Sequence, residues 1–150
     1  MLRLPEQQGL VNRVVIAGCT FSQVQRPQFT PRRSIFVQPT PGTSLGSVGT
    51  RSLSLTVTAT KFTTGTESHF VFDGIDVNAT ISDSTFIGAR AVSLQRGSAN
   101  LVFEGLTVND VSVQQSGGFL QLTCMSTAVS CHADVRNSHF RDVRTTGDQA

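Results

Sequence analysis

Two aspartates, Asp110 and Asp142, hold the same place in a repeated pattern. Each lies two residues after an apolar anchor, Val108 or Phe140. Carboxylates set side by side in this way can hold Ca²⁺, or divide acid and base roles as like charges push their proton affinities apart. His139, one residue before its anchor, is the candidate general base. Arg136 and Glu104 each lie four residues before an anchor and face one another once the repeats stack. An acid–base centre read from this spacing would use Asp110 and Asp142 as the pair, with His139 as base. A Ca²⁺ ion at Asp110 and Asp142 is the one cofactor this row offers, and otherwise none is expected. The same residues also suit plain structural roles, and that reading is preferred. Asp is common in turns, an exposed Glu–Arg pair stabilises little, and a lone exposed His is ordinary surface.

The cysteines offer a second kind of chemistry. There are three, Cys19, Cys124 and Cys131. Cys19 falls in a slot that other repeats fill with Thr60, Ser84, Leu106 and Ser138, so it reads as an inert thiol in a small-residue position. Cys124 and Cys131 flank a short segment. In an oxidising compartment they can close a loop and restrict the unfolded chain; in a reducing one they are two free thiols. Zinc fits poorly, because only His132 lies nearby and the spacing matches no common site. Asn78-Ala79-Thr80 is an N-glycosylation sequon, which matters only in a eukaryotic secretory path. The chain carries no Gly-rich phosphate loop with Lys-Ser or Lys-Thr, no GxSxG elbow and no HExxH.

The elements that must position these residues are set by a repeat. Its anchors are Phe21, Phe62, Phe86, Val108 and Phe140. Seven residues earlier stand Val14, Leu55, Ala79, Leu101 and Ala133, and five earlier Ile16, Val57, Ile81, Phe103 and Val135. Alternation of period two is the mark of a strand with one buried face. Three before the anchors stand Gly18, Ala59, Asp83, Gly105 and Asn137. Four of those five accept positive φ readily, so a tight bend is expected there, after which the anchor points inward again. Phe70 and Phe72 lie 16 and 14 residues before Phe86, as Val92 and Leu94 do before Val108. Leu120 and Leu122 play the same part before Phe140, displaced by four. Val77 also fits the anchor template but stands only nine residues before Phe86, so it is set aside. One such repeat cannot bury its own apolar face, whereas stacked repeats can. The expected fold is all-β: a right-handed parallel β-helix, or solenoid, of about five coils in a single domain over residues 1–150.

Two anchor intervals are long, 41 residues from Phe21 to Phe62 and 32 from Val108 to Phe140. They imply loop insertions near 24–50, rich in Pro and Gly, and near 123–132, where Cys124 and Cys131 lie. A β-sandwich would also give many short strands, but the constant offsets and the lack of a two-residue hairpin signal argue against it. Few residues stand outside the first and last anchors to cap a solenoid. The chain therefore reads as a fragment of a longer one, with further coils of the same parent chain as its neighbours.

Composition narrows the partners. Charged residues make up 15% of the chain, and its aromatics are ten Phe with no Trp or Tyr. That removes the side chains most used in sugar sites and interfaces, and with no recognisable motif it excludes nucleic-acid readout. Residues 1–66 hold seven basic residues and one acid, residues 67–150 five and nine. The basic half could meet an acidic glycan or a membrane surface, although its charges are dispersed. No apolar run is long enough to cross a membrane, and the start lacks the apolar core of a signal peptide.

The segments GCTF (18–21), DSTF (83–86) and NSHF (137–140), with GGF (117–119) before the next strand, resemble the right-handed parallel β-helix superfamily, which includes pectate-lyase-like enzymes. The closest flavour is the repeat of polymorphic outer-membrane proteins and autotransporter passengers. This chain departs from that pattern, with Val24, Gly65, Ala89 and Val143 where the family typically shows Asn. The resemblance implies an extracellular or cell-surface location and a glycan or host cell-surface protein as partner. It leaves two functions open: a non-enzymatic, adhesin-like scaffold, which is preferred, and a carbohydrate-active lyase or glycoside hydrolase. In the enzyme reading the resemblance implies acids and Arg on one outer face, often with Ca²⁺, and the candidates on this chain are Asp110, Asp142, Arg136, Glu104 and His139.

Overall fold

The computed structural model describes residues 2–3, 11–22, 35–38, 52–63, 68–88, 90–95, 97–113, 119–123 and 130–145. Among them every regular element is a strand. The strands fall into five repeats. The first holds β1 (Leu2–Arg3), β2 (Val11–Ala17) and β3 (Thr20–Ser22). The second holds β4 (Ile35–Gln38), β5 (Ser52–Thr58) and β6 (Lys61–Thr63). The third holds β7 (Ser68–Asp73), β8 (Asp76–Ser82) and β9 (Thr85–Ile87). The fourth holds β10 (Arg90–Gln95), β11 (Ala99–Glu104), β12 (Thr107–Asn109) and β13 (Ser112–Val113). The fifth holds β14 (Leu120–Thr123), β15 (Cys131–Arg136), β16 (His139–Arg141) and β17 (Arg144–Thr145).

Each repeat gives one strand to each of three five-stranded sheets. Sheet A runs β1-β4-β7-β10-β14, sheet B β15-β11-β8-β5-β2 and sheet C β16-β12-β9-β6-β3, with β13 paired to β17 apart. All of these pairings are parallel, whereas a sandwich of hairpins would be antiparallel. Across sheet B the register shifts by 41, 24, 22 and 32 residues, as Val11↔Ser52, Ser52↔Asp76, Ala99↔Val77 and Ala99↔Cys131 show. Sheet C repeats the same four shifts. They equal the anchor intervals, so the expected rows form. In sheet A, Phe70 pairs with Val92 and Val92 with Leu120, including the four-residue displacement.

The rows explain the core. Val57, Ile81 and Phe103 form one inward row and Phe62, Phe86 and Val108 another, all at 0% exposure. Phe62 stacks on Phe86 at 4.8 Å and on Phe21 at 5.1 Å, nearly parallel in both cases. Phe70, Phe72 and Leu94 close the core from sheet A. Buried aromatic and branched side chains of this kind supply most of the driving force for folding.

Corners set the stack. Gly18, Ala59, Asp83, Gly105 and Asn137 all take positive φ, between 48° and 62°. Ala59 joins them although alanine pays for the left-handed region, because the register leaves the corner no other place. A second set of corners, Gly88, Asp110 and Asp142, has φ of 86°, 54° and 52°. A third is tight for a different reason. A Cβ at Gly97 would stand 2.0 Å from the Ile75 carbonyl oxygen, so only glycine lets the two repeats approach there.

One expectation needs correcting. The segment near 24–50 is not wholly loop, since β4 lies within it and pairs with both β1 and β7. The run Ile35-Phe36-Val37 has the β-branched and aromatic character of a strand, and neighbouring Pro and Gly masked it in the sequence. The segment near 123–132 is bounded by the end of β14 and the start of β15, and its residues 124–129 lie outside the described residues.

Candidate functional site

The candidate residues lie on or beside β11, β12, β15 and β16, in the last two repeats of sheets B and C. Glu104 pairs in register with Arg136, as the stacking predicts. The contact differs from the expectation, however. Arg136 forms its hydrogen-bonded ion pair with Asp134, two residues back on the same face of β15. The Arg136 hydrogen bond holds the Asp134 carboxyl below the usual carboxylate range, and Asp134 in turn raises Arg136. Glu104 adds a further, weaker pull on Arg136.

Asp110 and Asp142 take matching corner positions, both with positive φ. The Asp110 N–H donates to the Arg141 carbonyl at 3.1 Å, tying that corner to the next repeat. The Asp142 carboxylate is engaged on both sides, by Arg141 and by Arg144, each at 3.4 Å. Asp and Asn tolerate this backbone region better than most residues, so turn geometry accounts for their occurrence here. His139 is exposed on β16, opposite Thr107. It continues the row one residue before each anchor, Thr20, Lys61, Thr85 and Thr107, which the register aligns. Arg136 and Asp142 lie beyond opposite ends of β16, so about 10 Å of strand separates them at ~3.3 Å per residue. The fold thus aligns Glu104 with Arg136 and Asp110 with Asp142, but it does not draw all of them into one centre. Among the described residues no group of three or more His, Cys, Asp or Glu is placed to hold a metal ion.

The small-residue slot has a more definite role than sequence suggested. The hydroxyls of Thr60, Ser84 and Ser138 donate to the carbonyls two residues back, at 2.9, 2.7 and 2.7 Å. The Ser84 hydroxyl also accepts the Thr60 N–H at 3.1 Å, and the Ser138 hydroxyl accepts the Leu106 N–H at 3.2 Å. These side chains replace the ladder bonds that a corner interrupts. Cys19, exposed at the edge, donates its thiol to the Ala17 carbonyl at 3.3 Å in the same pattern.

Cys131 opens β15 and is disulfide-bonded, Cys19 is free, and Cys124 lies outside the described residues. Asn78 is exposed on the outer face of β8, where its side-chain oxygen accepts from the Asn100 amide at 3.4 Å.

Sequence reasoning passed over His69. It is fully buried, with its ring 5.2 Å from Phe62 and 5.8 Å from Phe86. Burial pushes its pKa down to about 4, against a hydrogen bond with the Ile87 backbone that favours the charged form. Five consecutive residues, Ser68 to Phe72, are buried, so alternation fails on β7 and gave no warning. Arg90, also buried, hydrogen-bonds Gln121 across sheet A.

No protein-family model matches this chain, and no curated protein or solved structure does. No helix among the described residues is long and apolar enough to cross a membrane.

Proposed function

We propose that this chain is a scaffold segment of the right-handed parallel β-helix class, adhesin-like and non-enzymatic, working at a cell surface or in the secreted fraction. The observation that carries the reading is the role each candidate catalytic residue already fills. Asp110 and Asp142 hold left-handed corners, Arg136 is bound to Asp134, and His139 continues a row of strand residues. Between them the outer face of sheet B presents short polar side chains: Ser54, Thr56, Asn78, Thr80 and Asn100. Such a face suits hydrogen-bonded contact with a glycan or a cell-surface protein, with affinity drawn from many weak contacts. The disulfide at Cys131 fits an oxidising compartment.

The test is a glycan array read beside a uronate-release assay, both with Ca²⁺ and with chelator. Binding without turnover, unchanged by chelator, is the expected result. Release of unsaturated product, abolished by Asp110→Ala or Asp142→Ala, would overturn the scaffold reading in favour of a polysaccharide lyase.

A further inference from the structure

Asn78 and Thr80 stand two residues apart on β8, so both side chains leave the same face of the strand. That face is the outer one. Asn78 and Thr80 are exposed, whereas Val77, Ala79 and Ile81, which alternate with them, are buried. A register slip of one residue would turn Asn78 into the core, so the outward position of this sequon is a property of the fold and not of the triplet. The neighbours in register are short. Ser54 and Asn100 flank Asn78, and Thr56 and Val102 flank Thr80, so no long side chain stands beside the site. The Asn78 side-chain oxygen accepts from the Asn100 amide at 3.4 Å, and among the described residues its nitrogen donates to none. That nitrogen is the atom an N-linked sugar takes, and the substituted amide keeps its oxygen to accept the same bond. Asn78 is the one Asn in the chain followed two residues later by Ser or Thr. A separate observation concerns the compartment. Cys131 is disulfide-bonded, which fits the oxidising lumen in which such sugars are added.

We propose that this chain carries an N-linked oligosaccharide on Asn78. In the transfer the Asn78 amide nitrogen bonds to the first carbon of a sugar, the bond from that carbon to a lipid pyrophosphate breaks, and the nitrogen gives up one proton. The co-substrate is thus a lipid-pyrophosphate-linked oligosaccharide, delivered by the transferase of a eukaryotic secretory lumen while the chain is still extended. Thr80 supplies the hydroxyl that completes the acceptor triplet. Once β8 has paired, the sugar projects from the outer face and leaves the core rows untouched. It stands beside Ser54, Thr56 and Asn100, so the first glycan this polar face meets is the chain's own. The inference rests on the secreted location proposed above and not on adhesion.

The full chain, directed into the secretory path of a eukaryotic cell, tests it by intact mass before and after peptide-N-glycosidase. The expected product carries one core oligosaccharide, which the enzyme removes, leaving an aspartate at position 78. Asn78→Gln and Thr80→Ala should each abolish the added mass, whereas Thr80→Ser should retain it at lower occupancy. Thr80→Ala keeps the asparagine and Asn78→Gln keeps the threonine, so loss in both assigns the sugar to the triplet and not to a folding defect of one variant. Thiol alkylation of the same sample reports the state of Cys131. A secreted chain with Cys131 oxidised and no sugar, or a sugar that survives Asn78→Gln, would overturn the proposal and leave the secreted location standing. A chain retained in the cell with Cys131 reduced would overturn both.

Discussion

Phe86 on β9 and Phe140 on β16 occupy the same inward row, but their surroundings differ. Phe86 is fully buried, stacked on Phe62 at 4.8 Å with the edge of Phe119 at 6.1 Å. Phe140 meets the edge of Phe119 at 5.0 Å and is otherwise 42% exposed. Pattern, register and residue type are alike. What separates them is the strand on the far side, which Phe86 has in β12 and Phe140 lacks among the described residues. In this architecture an apolar row is only a potential core, and the next repeat makes it one.

That comparison is most directly broken by truncating both rings. Phe86→Ala should cost about 4 kcal/mol, the range for a large buried aromatic that leaves a cavity. Phe140→Ala should cost roughly 1 kcal/mol, since far less surface leaves contact. Urea denaturation measures both, and equal losses would mean that the last repeat is covered as fully as the third.

The glycines sharpen the same contrast. Gly97→Ala drives a Cβ into the Ile75 carbonyl and should cost about 3 kcal/mol. Gly18→Ala meets nothing within 4 Å, so it should lose only the left-handed penalty, roughly 1 kcal/mol. Thermal unfolding of the two variants side by side gives the comparison.

Acid should act on the middle of the molecule through His69. Its folded pKa of about 4 lies below the ordinary 6.5, so the unfolded chain binds more protons between those values. Stability is therefore full above pH 6.5, falls as pH drops toward 4 and levels off below. At pH 4.5 the loss should reach roughly 2 to 3 kcal/mol. Denaturation at pH 7 and pH 4.5 measures it, and His69→Phe should remove most of the difference.

The smallest expected effect is a gain. Ala59→Gly relieves a left-handed alanine but loosens the unfolded chain, leaving a net stabilisation of about 0.5 kcal/mol. An unchanged or lower midpoint in thermal unfolding would show that the corner carries no such strain.

The rows were legible because a period-two pattern repeated at fixed offsets allows one register and no other. The left-handed corners three residues before the anchors were legible where Gly, Asn or Asp occupies them, and Ala59 follows by position rather than by type, whereas the corner at Gly88 carried no such repeat signal. β4 was hidden by the Pro and Gly around it. His69 was hidden because Ser68 to Phe72 are all buried in succession, and alternation carries no sign of that. Asp134 was hidden because stacking offsets reveal cross-strand partners and not neighbours along one strand. The same-face neighbour two residues away on β15, and not the neighbour in the preceding repeat, holds Arg136 in a hydrogen-bonded ion pair.

Amide hydrogen exchange resolved by strand is the most direct test that stacking, repeat upon repeat, is what makes the core. The account predicts the slowest exchange in β5, β8 and β11, which have a strand on both sides, and much faster exchange in β2, β15 and β16. Protection in β15 and β16 equal to that of β8, measured on monomeric protein, would contradict it.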